Sequence, residues 1–427
     1  MGKCLIILTR KYPYSYGETS LQDELPFHIP YYDDVLILAQ DVSPGDTETR
    51  MPPTGVSWYN TAKRNREVSR AIDKVKSPLL LLKRDKAIAS DRKAVKGHPV
   101  RKVFLYTFEE RCLRLIKEAI DDLKGYDFTK YDEVVLYSYW FFANARAAIG
   151  IADYLKKKGC RKVRIISRAH RYDLYENRNK LNYLPMREYL LERISKVYAC
   201  SLDGAEHLKR LYPEYKDHIT VGLLGTKDCG VKDSKRGNMF HIVSCCRVVP
   251  VKRLERLADT LKLIDKPVLW TMIGGGVEGD DSYYEKVKEH VESVLKDKDN
   301  IKVEFTGAIP HEDIFKYYLE HDVDVFINVS SSEGIPQVIM EAGSFGTPII
   351  ATDVGGTNEI LLNNENGYII PEDFEDRYLA DRIEQMMSLS DEEYYHMRKR
   401  SREIWEERFN AKKNNELFAR QVYGEEE

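Results

Sequence analysis

Short apolar runs recur along the chain, each followed by a longer stretch in which apolar positions return every three or four residues. "CLIILT", "DVLILA", "EVVLYSY", "VRIISRA" and "KVYACS" are the runs of the first half, and "HIVSCC", "VLWTMIG", "IKVEFTG", "DVFINVS" and "TPIIAT" those of the second. The runs are continuous rather than alternating, which marks strands covered on both faces and hence parallel sheets flanked by helices. Amphipathic stretches such as "RLERLADTLKLI" and "HEDIFKYYLE" supply the helices. The pattern predicts an α/β protein of two Rossmann-like, doubly wound domains facing across a cleft lined by the carboxyl ends of strands, where such sheets bind ligands. A length of 427 residues agrees with two cores rather than one. Patterning is weakest over "GTKDCGVKDSKRGNM", residues 225–239, which places a linker there. The expected domains are therefore 1–230 and 231–399, with a helix at about 400–427 returning to the first.

Composition narrows the class. Hydrophobic residues make up 43% of the chain and charged ones 32%, as in a soluble protein, and no apolar run approaches the roughly 18 to 20 residues of a membrane span. The start, "MGKCLIILTRKYPY", reads as a buried strand rather than a signal peptide. The seven cysteines are odd in number and lack C-x2-C spacing, so they fit small core residues of a reducing cytoplasm better than a disulfide frame or zinc site. Net charge is only −3, yet from Lys63 to Lys102 there are 14 Lys/Arg against 4 Asp/Glu, around the apolar "SPLLLLKR". Two readings of this segment, 61–102, stand side by side. It suits an anionic membrane surface or a phosphate-bearing acceptor, and it equally suits a solvated helical face over a buried leucine cluster. Nucleic acid is not expected, because no binding module is recognisable and the rest of the chain is acidic.

The chemistry concentrates in "SSSEGIPQVIMEAGSFGTPII", residues 330–350. Read as strand end, loop and helix, it puts Glu333 in the loop, Pro336 in the first helical turn and Val338, Ile339, Ala342 and Phe345 on the buried side. Gln337 and Glu341 share another face near the helix start, where free N–H groups favour a phosphate and carboxylates favour hydroxyls. A ligand carrying both, such as a nucleotide sugar, fits this combination; the spacing by itself also fits an ordinary exposed glutamate. "SCCRVVPVKRLERL" adds Arg247 and Lys252 between a strand and a helix, two cations able to neutralise a departing diphosphate. "MIGGGVEG" supplies a glycine loop after the next strand.

Taken in order, Arg247, Lys252, "IGGG", "FTGAIPHEDI", "SSEGIPQVIMEA", "GTPIIATDVGGTNEI" and "NGYIIP" resemble the retaining, nucleotide-sugar-dependent glycosyltransferases of family 4, which have the GT-B fold. The resemblance runs over roughly residues 240–371. It assigns Glu333 to the transferred sugar, Glu341 to the ribose, and Arg247 and Lys252 to the diphosphate. It further assigns the backbone of Gly334, Ile335, Pro336, Gln337 and Val338 to sugar and phosphate, the segment around Ile309 to the base, and Gly275 to the donor loop. In the first half the match is looser. His170 in "SRAHRYDLY" corresponds to a histidine beside the donor sugar, making it, with Glu333, the expected catalytic residue. Gly17 in "YPYSYGE" corresponds to a loop that lets the backbone approach the diphosphate, and Glu18 or Asp23 is a candidate for touching acceptor. Two departures stand out: Arg253 follows the lysine where glycine is usual, and "LLGT" replaces an Asn-Gly before the linker. The resemblance implies sugar transfer with retention, without metal or cofactor, to a glycan or polyprenyl-linked acceptor in bacterial surface polysaccharide synthesis, in the cytoplasm or on the inner membrane face.

Rival readings have specific weaknesses. Gly274, Gly276 and Gly279 satisfy G-x-G-x-x-G, but they follow a second strand, and Glu304 lies inside the next rather than at its end. Asp322–Asp324 mimic a metal-binding D-x-D, but they sit where an apolar strand begins, away from its ligand end. A nucleotide-sugar epimerase of the same fold and a non-catalytic nucleotide-sugar-binding partner protein remain alternatives to transfer.

Overall fold

All pairings between neighbouring strands are parallel, and helices on both faces bury the apolar runs from end to end. A computed structural model describes residues 2–14, 17–62, 65–82, 86–232, 235–277 and 280–424. Lys63 and Gly279, which belong to the basic segment and the glycine match, lie outside the described residues.

The first sheet contains β1 (Lys3–Thr9), β2 (Asp34–Ala39), β3 (Val56–Asn60), β4 (Glu133–Ser138), β5 (Val163–Ala169), β6 (Lys196–Ala199) and β7 (Ile219–Val221). Its order is β3-β2-β1-β4-β5-β6-β7, so the winding reverses between β1 and β4. Helices Pro99–Leu123 and Ala143–Lys157 cover one face with Leu105, Phe108, Leu115, Ala147 and Ile151. Leu21 and Leu25 of helix Thr19–His28, with Phe418 and Val422 of helix Ala411–Tyr423, cover the other. Under Phe418 lies Arg168, fully buried, which donates to Glu24 at 2.9 Å and to the Gly222 carbonyl at 2.8 Å. A buried ion pair of this kind is tolerated because its hydrogen-bonding directions are filled.

The second sheet contains β8 (Phe240–Cys245), β9 (Val268–Ile273), β10 (Ile301–Gly307), β11 (Val325–Asn328), β12 (Ile349–Thr352) and β13 (Gly367–Ile370). Its order is β10-β9-β8-β11-β12-β13, with the reversal between β8 and β11. Trp270, Leu257, Val291, Ile327 and Ile383 are among the residues of its core.

The chain divides into one unit of Met1–Leu224 with Asn415–Glu427 and another of Gly225–Asn414. Against the expected boundary at 230/231 the division falls at Leu224, and the return to the first unit starts at Asn415 rather than at about 400. Helix Asp391–Arg408 stays with the second unit because Tyr394, Ile404 and Trp405 are buried there, with Trp405 donating to Thr226 at 2.8 Å.

Within the basic segment, helix Arg66–Lys76 is fastened by Asp73, which accepts from Arg114 at 3.0 Å. Of the leucines in "SPLLLL", Leu80 is buried in the core while Leu79 is exposed. No helix among the described residues is long and apolar enough to cross a membrane.

Candidate active site

At the reversal between β8 and β11, where open sheets of this kind bind ligands, Cys245, Cys246, Lys252 and Asn328 line a small pocket at the carboxyl ends of the two strands. After β8 the chain makes the short turn Pro250–Lys252, then takes a left-handed conformation at Arg253 (φ 50°, ψ 38°) to enter helix Leu254–Leu261. That backbone explains why glycine suits the position after the lysine. Here the arginine holds the same conformation while donating to the Val329 carbonyl at 2.7 Å and the Glu372 carbonyl at 2.9 Å. The substitution thus changes side-chain contacts and keeps the turn.

Lys252 spans the reversal. Its Nζ donates to Glu333 Oε1 at 2.5 Å, and Asn328 Nδ2, at the end of β11, approaches the same oxygen at 3.4 Å. Glu333 is buried, 6% exposed, so the ammonium offsets a charge that would otherwise be costly to desolvate. An ammonium carries three donors, and its bond to Glu333 uses one, which keeps it suited to an anion as well. Arg247 is exposed just beyond β8 and makes no hydrogen bond or ion pair among the described residues.

Glu341 lies one turn into helix Gln337–Ser344 and is also buried, 4% exposed. His311, the first residue of helix His311–Glu320, donates from Nε2 to Glu341 Oε1 at 2.7 Å. Ile309, half-buried two residues earlier, lies in the connection from β10 to the helix that carries the partner of Glu341. Both glutamates bear on the end of β8. Burial, and then the charge of Glu341, raise the thiol of Cys245. Burial raises that of Cys246 to about 12, with Lys252 opposing and Glu333 adding to the rise.

The helix starts at Gln337, with Pro336 as its cap (φ −78°, ψ 103°) rather than inside the first turn. Ile339, Met340 and Ala342 are buried, whereas Val338 is only half-buried. Behind the Glu333 loop runs "DVGGTNEI". Gly355 has φ 56°, and a Cβ there would lie 2.2 Å from the Glu333 carbonyl oxygen; the Gly356 N–H donates to the Gly334 carbonyl at 2.6 Å. This glycine pair is the backrest of the glutamate loop. The "IGGG" loop is likewise closely packed. A Cβ on Gly274 (φ 132°) would meet the Cys246 carbonyl oxygen at 1.9 Å, and the Gly275 carbonyl accepts from Val248 N–H at 2.8 Å. The glycine loop is thus a close backbone contact that holds the start of the Arg247–Lys252 turn.

The acidic D-x-D match has structural employment: Asp324 is buried and accepts from the His241 N–H at 2.7 Å, and Asp322 pairs with Lys232 at 2.8 Å. Among the described residues no three His, Cys, Asp or Glu side chains cluster as metal ligands would.

In the first unit, His170 follows β5 with its ring against those of Tyr139 and Trp140, at centroid distances of 4.8 and 4.7 Å. Nε2 donates to the Tyr139 carbonyl at 3.0 Å, a group that can only accept, so the proton is on Nε2 and Nδ1 carries the lone pair. Burial, and then the Arg168 guanidinium, lower its pKa to about 3, so the ring is neutral at physiological pH. Asp173 fixes the turn, accepting from the His170 and Phe141 N–H groups at 2.7 and 2.6 Å. Gly17 is exposed, and its carbonyl accepts from Arg50. Glu18, a candidate for acceptor contact, has its carboxylate occupied by N–H donors of its own loop and of Trp140.

Sequence reasoning did not single out His311, Asn328 or Trp140. His311 was visible only as a histidine opening a helix, and Asn328 only as a polar residue ending a strand that is otherwise apolar.

Residues 231–404 match the family model described as glycosyl transferases group 1. The chain is 23% identical over 231 residues to the GtfA subunit of UDP-N-acetylglucosamine–peptide N-acetylglucosaminyltransferase from Streptococcus agalactiae, covering 52% of this chain and 44% of that protein. It is 33% identical over 123 residues to the putative colanic acid biosynthesis glycosyltransferase WcaL of Escherichia coli K12, covering 27% and 30%. The chain thus spans less than half the length of these relatives. The Anabaena protein Alr3699/HepE, solved with UDP and glucose, superposes with a TM-score of 0.63 at 16% identity over 99% of each chain. By these matches residues 231–404 are similar to group 1 glycosyl transferases, and the two doubly wound parallel sheets are those of the GT-B fold.

Proposed function

We propose that the protein is a retaining glycosyltransferase that moves a hexosyl or N-acetylhexosaminyl group from a uridine diphosphate sugar to a glycan or polyprenyl-linked acceptor in surface-polysaccharide assembly. The observation that carries this reading is the pairing of Lys252 with the buried Glu333 at the β8/β11 reversal, with buried Glu341 on the following helix. Two fixed carboxylates suit the hydroxyls of sugar and ribose, and the cations suit the diphosphate between them. The uridine assignment is supported by a relative named for UDP-N-acetylglucosamine and by a structural neighbour holding UDP. A relative named for colanic acid biosynthesis supports the class of product.

In this reading the bond from the anomeric carbon to the diphosphate breaks through an oxocarbenium-like state. Lys252 and Arg247 stabilise the charge growing on the leaving diphosphate, a preorganised electrostatic contribution that needs no metal. A diphosphate oxygen takes the acceptor proton as the new bond forms on the same face. His170 offers Nδ1 as a neutral hydrogen-bond acceptor to a sugar hydroxyl. It is not the proton donor of the reaction, because its protonated form is disfavoured.

The test is a thermal-shift and turnover panel of uridine and guanosine diphosphate sugars, run with and without a chelator. Stabilisation by uridine compounds and chelator-resistant release of UDP are expected. Preference for guanosine compounds would overturn the base assignment, and loss of activity restored by manganese would overturn the metal-free chemistry.

A further inference from the structure

The winding of the first sheet reverses between β1 and β4, and one side chain closes that reversal. Glu18 Oε1 accepts from the Arg10 N–H at 2.9 Å and from Trp140 Nε1 at 2.7 Å. Its Oε2 accepts from the Lys11 and Tyr12 N–H groups at 2.9 and 2.8 Å. Three successive backbone donors leaving β1 thus converge on one carboxylate, and the fourth donor comes from the loop after β4. Glu18 itself adopts a left-handed backbone (φ 60°, ψ 38°) that a glutamate rarely takes. The four hydrogen bonds hold it there.

The indole that Glu18 holds packs against the His170 ring, and Tyr139 packs against both rings beside it. We propose that Glu18 is a positioning residue: it fixes the β1 turn, aims the Trp140 indole, and through that ring keeps His170 oriented with Nδ1 presented to substrate. This rests on the glycosyltransferase reading above. The requirement is for a carboxylate. A glutamine of the same shape would set an NH2 group against two of the four N–H donors and leave them without acceptors.

The experiment compares Glu18→Gln, Glu18→Asp, Trp140→Phe and the Glu18→Gln/Trp140→Phe pair. Glu18→Gln is expected to lower kcat by about 30-fold, within the range of a lost charged hydrogen bond, with the donor KM changed less than threefold. Trp140→Phe should lower kcat in the same sense, and the pair should be no slower than Glu18→Gln, because both act through one ring. Glu18→Asp should recover part of the rate. Wild-type kcat in Glu18→Gln, or rate losses that multiply in the pair, would overturn the proposal. Tryptophan emission supplies a readout apart from turnover. Glu18→Gln should shift it in the wild-type background and not in Trp140→Phe; no shift in the first would overturn the indole contact. Absence of any transfer by the wild-type protein would instead overturn the glycosyltransferase reading, with the emission arm still reporting on Glu18.

Discussion

Glu341 illustrates how a side chain can be buried and still available for binding. Its carboxylate is held by His311 and faces the end of β8, so it is aimed without being saturated by backbone donors. Under the ribose assignment, Glu341→Ala removes charged hydrogen bonds worth about 1.5–3 kcal/mol, and UDP should bind roughly tenfold to a hundredfold more weakly. Isothermal titration with UDP checks this, and unchanged affinity would remove the ribose assignment. His170 gives a pH signature. Its pKa lies near 3 in the folded chain and at 6.5 as a free side chain, so between those values the unfolded chain binds the proton and the folded chain does not. The stability that it contributes is complete above about pH 6.5 and declines as pH falls toward 3. Asp173, pushed up to about 6 by burial, acts in the opposite sense below that value. Urea midpoints between pH 5 and 8 should therefore fall less steeply with acid in His170→Asn than in wild type.

At the scale of elements, the glycine-bearing loops are struts. Gly355→Ala would drive a methyl group to 2.2 Å from the Glu333 carbonyl oxygen on a backbone that alanine disfavours. The loop must shift, so Gly355→Ala should lower UDP affinity and cost about 1–3 kcal/mol in stability, the usual range for overpacking. Wild-type affinity with an unchanged melting temperature would show that the loop yields freely. The basic segment makes a different kind of element. Along helix Arg66–Lys76 and the turn after it, Val68, Val75 and Leu79 return at helical spacing and are 52%, 79% and 58% exposed; Lys74 and Lys76 lie on the same helix, and Lys93 and Lys96 follow later in the basic segment. Apolar side chains in the open beside lysines suit an anionic bilayer. Reversing these four lysines to glutamate should abolish sedimentation with phosphatidylglycerol liposomes while leaving UDP affinity unchanged. Equal sedimentation of both proteins, or of neither, would leave the segment as a solvated face.

At the scale of the whole molecule, the chain crosses from the first unit to the second at Leu224 and returns at Asn415. The returning helix is structural to the first unit: Phe418 lies on the Arg168 guanidinium, with ring contacts to His28, Tyr137 and Tyr198. Phe418→Ala should cost the first unit about 3–5 kcal/mol by opening a cavity over a buried charge. Calorimetry should show the transition of the first unit falling and that of the second, which UDP is expected to raise, staying in place. A single transition that moves as one would show that the units do not unfold independently.

What the sequence determined by itself was the layering and the location of the chemistry. Continuous apolar runs can only be buried on both faces, so parallel sheets followed from hydrophobic burial alone, and the order of the motifs put cations and carboxylates at strand ends. Tertiary structure decided which of them meet. Lys252 and Glu333 are 81 positions apart, Glu18 and Trp140 are 122 apart, and no local pattern pairs residues so distant. It also decided that the glycines near 274 and 355 serve close packing, because the neighbouring carbonyl that excludes a Cβ comes from another loop. A run of residues reports its own period and polarity. The sheet order that brings two loops to one reversal is a property of the folded chain.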